Sequence, residues 1–163
     1  CGDVDAGALE YLSKKENLDF PQIMSILNQE SGVLGISKNL SSDFRELKDA
    51  EIKYNDTAAL AREIFAYRVA KYIGSYAAAM NGVDNIVFTA GVGENDSDIR
   101  EEICSYLEFL GITIDEVKNR EQGEAVRISD GTSRVNVLVI KTNEELEIAR
   151  EAAELVRGLK KEE

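Results

Sequence analysis

The chain has 163 residues, 44% of them apolar and 31% charged, enough for one domain with a real core. Its net charge of -12 argues against a nucleic-acid partner, which needs a basic footprint. No apolar run approaches the length of a membrane span, so no membrane partner is expected. Histidine is absent, which removes Ser-His-Asp and Cys-His nucleophiles and every His-based zinc site. Chemistry here must use carboxylates, arginines and backbone amides. The two cysteines, Cys1 and Cys104, form no metal or redox spacing, and a reducing, cytoplasmic home is expected. Cys104 reads as a small buried hydrophobe on a helix.

In chain order, residues 6–16 read as a short helix. Asp19-Phe20-Pro21-Gln22 is a helix start, with Asp19 as cap, Pro21 in the first turn and Gln22 completing a capping box. That helix should end near Ser31-Gly32. A loop from Leu34 to Ser42 then leads into a helix running to about Lys53. The longest element is expected from Thr57 to Met80, an amphipathic helix whose stripe is Leu60, Ile64, Tyr67, Ile73, Tyr76 and Met80. Asn85 to Thr89 is β-branched and apolar, as suits a buried strand. Ala90 to Asn95 reads as a loop, and Ser97 to Leu110 as a helix stopped by Gly111. Ile112 to Asp115 is a candidate short strand. Ala125 to Ser129 and Val135 to Ile140 read as strands joined through Asp130-Gly131-Thr132. A last helix covers about Asn143 to Gly158. Strands alternating with helices imply an α/β domain, its sheet covered by helices.

Three segments carry candidate chemistry. The strongest is Ile86-Val87-Phe88-Thr89-Ala90-Gly91-Val92-Gly93-Glu94-Asn95, a strand running into two glycines and then a helix. Open α/β folds bind ligands at the C-terminal edge of the sheet, and glycine admits close backbone approach. There is no Gly-Lys-Ser/Thr, and Asp96 replaces the third glycine of a dinucleotide fingerprint. A tight strand-to-helix turn and a nucleotide loop both remain open. The second segment is Lys141-Thr142-Asn143-Glu144-Glu145. Thr142 and Glu145 fit a capping box, whereas Glu144 is not needed for one. Capping suffices for the segment, yet a carboxylate at a strand end is also placed to hold Mg²⁺ directly or through water. The third is Ser41-Ser42-Asp43-Phe44-Arg45, an ordinary serine-capped helix start. Alternatively, an exposed Phe44 beside Arg45 offers a partly apolar wall with a charged tip for a purine and ribose.

Taken together, Cys1-Gly2-Asp3-Val4-Asp5, Gly32-Val33-Leu34-Gly35-Ile36-Ser37, Ser42-Asp43-Phe44-Arg45, Phe65-Ala66-Tyr67-Arg68-Val69, Phe88 to Asn95 and Lys141 to Glu145 resemble the acetate kinase family. They follow the family's order across almost the whole chain, and the segments around Gly91 and Asn143 are the specific ones. The resemblance implies a ribonuclease H-like α/β domain of the actin, sugar kinase and Hsp70 superfamily, its central sheet covered by helices. It implies that residues 1–163 are the C-terminal nucleotide-binding domain of a two-domain kinase. The implied reaction moves the terminal phosphoryl group of ATP reversibly onto acetate, giving acetyl phosphate and ADP. Asp43, Phe44, Arg45, Gly91, Val92, Gly93, Glu94 and Asn95 are then the nucleotide-binding residues, and Glu144 is a ligand of Mg²⁺. The family is dimeric, so a homodimer is implied, with the long helix as scaffold and subunit contact.

By the same resemblance, the acetate pocket, a catalytic Asp, a His and one of two Arg residues belong to an N-terminal half outside this chain. The second Arg directly precedes the Cys1-Gly2-Asp3 segment. The chain alone is therefore expected to be inactive, since phosphoryl transfer depends on positioning and charge neutralisation. Two features depart from the family pattern: the loop Ser37 to Ser41 is slightly long and lacks a glycine, and Ala90 stands where many members carry Gly. A propionate or butyrate kinase, and a non-catalytic nucleotide-binding or assembly module, are the alternative readings.

Overall fold

The structure, a computed structural model, describes residues 1–159. The chain packs as two compact units, one from Cys1 to Asn81 and one from Gly82 onward.

The first unit is helical. Asp5 caps α1 (Ala6–Glu16), its carboxylate accepting from the Gly7 N–H. The expected capping box opens α2 (Phe20–Ser25): the Gln22 N–H donates to Asp19 Oδ1 and the Asp19 N–H to Gln22 Oε1, both at 2.9 Å. The helix continues as a π-helical turn over Ile26–Glu30, ending at Ser31 as the sequence suggested. Part of the expected loop is instead helical, as α3 (Gly32–Ile36). Its entry uses Gly32 at φ 64°, a conformation open to glycine at little cost.

Helices α4 (Phe44–Ile52) and α5 (Asp56–Ala79) pack together, and α3 also lies on α5. The expected stripe on α5 is not the buried face. Leu60, Tyr67, Tyr76 and Met80 are exposed, and burial falls on Ala58, Ala61, Arg62, Ala66, Ala70 and Ala77. Alanine lets neighbouring backbones approach closely, so the small residues face inward while the bulky ones point out. Arg62 within that face donates through Nε to Glu51 at 2.6 Å. Asp3 ties the N-terminal segment to α5, accepting from Arg68 Nη2 at 2.8 Å and the Tyr72 hydroxyl at 2.6 Å.

The second unit holds a mixed three-stranded sheet in the order β1-β3-β2. Strand β1 (Asn85–Phe88) runs parallel to β3 (Asn136–Ile140), with Phe88 opposite Val139. Strand β2 (Ala125–Arg127) is antiparallel to β3. The turn between them is organised by Asp130, whose Oδ1 accepts from the Thr132 and Ser133 amides at 2.7 and 2.9 Å. As the edge strand, β1 buries Ile86 and Phe88 but exposes Val87, so it is covered on one face rather than two. Residues 112–115 form no strand, only an isolated bridge from Ile114 to Ser129.

The expected loop at 90–95 is a short helix, α6 (Ala90–Asn95). Then follow α7 (Ser97–Ser105), a 3-10 turn at Glu108–Leu110, α8 (Glu116–Asn119) and α9 (Glu144–Leu159). The helix expected to reach Leu110 stops at Ser105, and Gly111 ends the separate 3-10 turn at φ 77°. Ile99, Ile103, Cys104, Leu107, Ile128 and Val137 belong to the core of this unit. Among the described residues, no helix is long and apolar enough to cross a membrane.

Candidate functional site

Parallel pairing of β1 with β3 brings the C-terminal ends of both strands to one edge of the sheet. Two of the three candidate segments leave from that edge, α6 from β1 and Lys141 to Glu145 from β3. Between them lies a cleft of about 400 Å³ lined by Ala90, Gly91, Thr142, Asn143, Glu144 and Glu145. This is where open α/β sheets take ligands.

The two glycines of α6 do different jobs. A Cβ on Gly93 would sit 3.3 Å from the Phe88 carbonyl carbon, so this glycine lets the helix close onto its own strand. A Cβ on Gly91 would meet nothing within 4 Å, and Gly91 lines the cleft. Ala90 starts the helix at φ 59°, a left-handed conformation that costs an L-residue about 1–2 kcal/mol. Val92 is half-buried, and Asn95 turns back on the helix, its Nδ2 donating to the Gly91 carbonyl at 2.8 Å.

Glu94 joins the two walls of the cleft. Its Oε1 accepts from the Thr142 N–H at 2.8 Å and the Thr142 hydroxyl at 2.9 Å. The Thr142 amide, then its hydroxyl, hold the Glu94 carboxyl below the usual carboxylate range, and the Ala90 N–H adds to them. Thr142 is not the cap of α9. Asn143 takes that place, its Oδ1 accepting from the Leu146 N–H at 3.0 Å. The capping box expected from Thr142 and Glu145 does not form, because α9 begins at Glu144 and Asn143 is the residue at its cap. Glu144, in the first turn of α9, is exposed and faces the cleft.

Among the described residues, no group of three or more His, Cys, Asp or Glu side chains could cage a metal. Mg²⁺ is commonly held by one or two carboxylates together with substrate phosphates and water, and the one such candidate named by the sequence is the exposed Glu144.

Behind α6 stands a buried anchor that sequence reasoning missed. Arg100, on α7, is 2% exposed. Its Nη1 donates to the carbonyls of Gly93 at 2.8 Å and Glu94 at 3.0 Å. Its Nε donates to Asn119 Oδ1 at 2.8 Å, and its Nη2 donates to the Asn119 carbonyl. Asn119 in turn donates through Nδ2 to the Ser97 carbonyl at 2.9 Å. Burial pushes the guanidinium pKa down, while Asp96, Cys104 and Asp98 oppose that; arginine stays charged in proteins. The available signal was a charge within the apolar stripe of Ile99, Ile103 and Cys104. Asp96, in place of the fingerprint glycine, caps α7 by accepting from the Ile99 N–H.

Asp43, Phe44 and Arg45 lie in the first unit. Asp43, not Ser42, is the cap of α4, accepting from the Arg45 N–H at 2.8 Å; Ser41 Oγ accepts from the Asp43 N–H. The Arg45 side chain folds back onto the same carboxylate, Nε to Oδ1 at 3.1 Å and Nη2 to Oδ2 at 2.6 Å. The Arg45 side chain, then its amide, pull the Asp43 pKa down to about 2. Phe44 is half-buried rather than exposed, its ring edge-on to Phe65 at 4.5 Å. Arg45 remains largely exposed beside it.

The small mixed sheet covered by helices is an α/β fold of the actin, sugar kinase and Hsp70 type. A family model described as the Acetokinase family matches residues 1–150. The acetate kinase of Lachnoclostridium phytofermentans is 53% identical over 155 residues, covering 95% of this chain and 39% of its own length. The crystal structure of Porphyromonas gingivalis acetate kinase superposes with a TM-score of 0.86 at 45% identity, over 95% of this chain and 39% of that one. A propionate kinase from Francisella tularensis gives 0.84 at 41% identity, over 92% and 38%. The chain belongs to the acetokinase family, and it spans about two-fifths of the length of these relatives.

Proposed function

We propose that this chain is the nucleotide-binding half of a cytoplasmic kinase that transfers the terminal phosphoryl group of ATP reversibly to acetate. The observation that carries the reading is the cleft at the sheet edge, whose two walls are the two family-specific segments, tied together by Glu94 and Thr142. The resemblance sets Gly91, Val92, Gly93, Glu94 and Asn95 against the adenosine, and of these five Gly91 lines the cleft. Gly91 leaves open space for close approach, and Arg100 fixes the backbone behind it. The resemblance also assigns Asp43, Phe44 and Arg45, in the first unit, to nucleotide binding. The Phe44 ring offers an apolar face, and the exposed Arg45 guanidinium offers donors to ribose or phosphate oxygens.

Glu144 would hold Mg²⁺, directly or through water. When bound, the ion neutralises phosphate charge, which is the main demand of phosphoryl transfer. The family resemblance assigns the acetate pocket and the transferring groups to the other half of the kinase, so the 163-residue chain binds nucleotide without forming acetyl phosphate. The exposed Leu60, Tyr67, Tyr76 and Met80 on α5 suit a contact between two copies.

The test is hydroxamate detection of acyl phosphate, using the full-length kinase that carries this segment and, separately, the isolated chain. The expected result is turnover in the former, none in the latter, and a raised Mg²⁺ requirement for Glu144→Gln. Turnover by the pure chain, or an unchanged Mg²⁺ requirement in the variant, contradicts the assignment. The likeness to a propionate kinase supports a second reading of the acceptor, and comparing acetate with propionate and butyrate in that assay decides it.

A further inference from the structure

We propose that Glu94 is a positioning residue that fastens the Glu144-bearing corner to α6, so that the nucleotide wall and the metal-bearing wall of the cleft move as one body. The inference rests on the reading of this cleft as the Mg²⁺-nucleotide site. Family resemblance alone would set Glu94 against the adenosine. The geometry gives its carboxylate other work.

One oxygen, Oε1, takes both Thr142 donors, the amide at 2.8 Å and the hydroxyl at 2.9 Å, across 48 positions of sequence. Both Thr142 donors fall on this one oxygen, so it is Oε1 that does the fastening. Thr142 directly precedes Asn143, whose side chain caps α9, and Glu144 is the first residue of that helix. Fixing Thr142 therefore fixes where the Glu144 backbone leaves the sheet. From the other side, Arg100 holds the carbonyls of Gly93 and Glu94. A chain of bonds thus runs from the buried Arg100 through the backbone of α6 and the Glu94 carboxylate to the corner at Thr142. Every member lies in the second unit.

The consequence is a coupling. Without the Glu94 acceptor, the corner keeps β3, the Lys141 N–H bond to the Glu124 carbonyl and the Asn143 cap, and Glu144 must be ordered further when the metal-nucleotide arrives. Affinity for the Mg²⁺ complex of ADP should fall about tenfold in Glu94→Ala, as for a lost charge-assisted bond pair. Affinity for ADP in EDTA should fall by less than about threefold, because that ligand does not use Glu144.

Two readouts test this on the 163-residue chain and on the full-length kinase. Calorimetric titration of ADP, with Mg²⁺ and with EDTA, is run on Glu94→Ala, Thr142→Val, their double variant and Thr142→Ser. The expected pattern is a Mg²⁺-selective loss in each single variant, no further loss in the double, and recovery in Thr142→Ser, which keeps both donors. Equal losses with and without Mg²⁺, or additive losses in the double variant, overturn the proposal by making Glu94 a direct nucleotide contact. The second readout needs no nucleotide: amide hydrogen exchange at Thr142 and the first turn of α9 should quicken in Glu94→Ala. Unchanged exchange there also overturns the fastening. If wild type binds no ADP while exchange quickens, the fastening stands and the nucleotide reading of the cleft falls.

Discussion

Asn119 offers the sharpest stability test, because its side chain makes two bonds that nothing nearby replaces. In Asn119→Ala, Arg100 Nε loses its Oδ1 acceptor at 2.8 Å, and the Ser97 carbonyl loses its Nδ2 donor at 2.9 Å. Asn119 is 1% exposed and Arg100 2%, so water does not readily substitute. The charged donor left without a partner costs about 2 kcal/mol and the neutral bond about 1 kcal/mol. The sum, about 3 kcal/mol, is a large share of the 5–15 kcal/mol typical of a domain. It corresponds to about a hundredfold drop in protection of amides that exchange by opening of the second unit. Exchange measured in β1 and β3 reads the opening of that unit. Asn119→Asp keeps the acceptor and gives Arg100 a counter-charge, so its loss should be nearer tenfold. A drop below about threefold in Asn119→Ala would refute the idea that the Arg100 bonds hold α6 in place.

Ala90→Gly should stabilise the second unit by up to about 1 kcal/mol, since relief of the positive φ slightly exceeds the added chain entropy of glycine. Ala90→Val should destabilise it, and the opposite order in urea titrations contradicts the strain at this residue. Burial pushes the Cys104 thiol up to about 12, so it stays protonated and slow to alkylate at pH 9, while Cys1 is exposed and reacts. Between pH 9 and 12 the folded state keeps a proton that the unfolded state has lost, so stability should fall as pH rises through that window. Fast labelling of Cys104 in the native chain, detected by mass spectrometry, contradicts its burial.

What the sequence revealed divides by range. The box at Asp19 and Gln22 and the turn at Asp130 depend on a few neighbouring residues, and each was readable. The helix at 90–95 was not, because two glycines and an asparagine read as a loop. What makes them helical is closure of Gly93 onto Phe88 and the Arg100 bonds to the Gly93 and Glu94 carbonyls. On α5, bulky apolar residues masked a buried face of alanines, since hydrophobic spacing weighs size above closeness of packing. The cap of α9 was misplaced by one residue: the helix begins at Glu144 with Asn143 as its cap. Thr142 instead bonds Glu94, a contact set by the register of β1 against β3. The candidate segments stood out by pattern, and resemblance supplied their roles. That two of them share a cleft required the sheet.

Calorimetric titration of the chain with ADP in Mg²⁺ tests the central assignment most directly. The account predicts saturable one-to-one binding with a Kd below about 1 mM, weakened in Glu144→Gln only when Mg²⁺ is present. A flat trace at several times that concentration would contradict it.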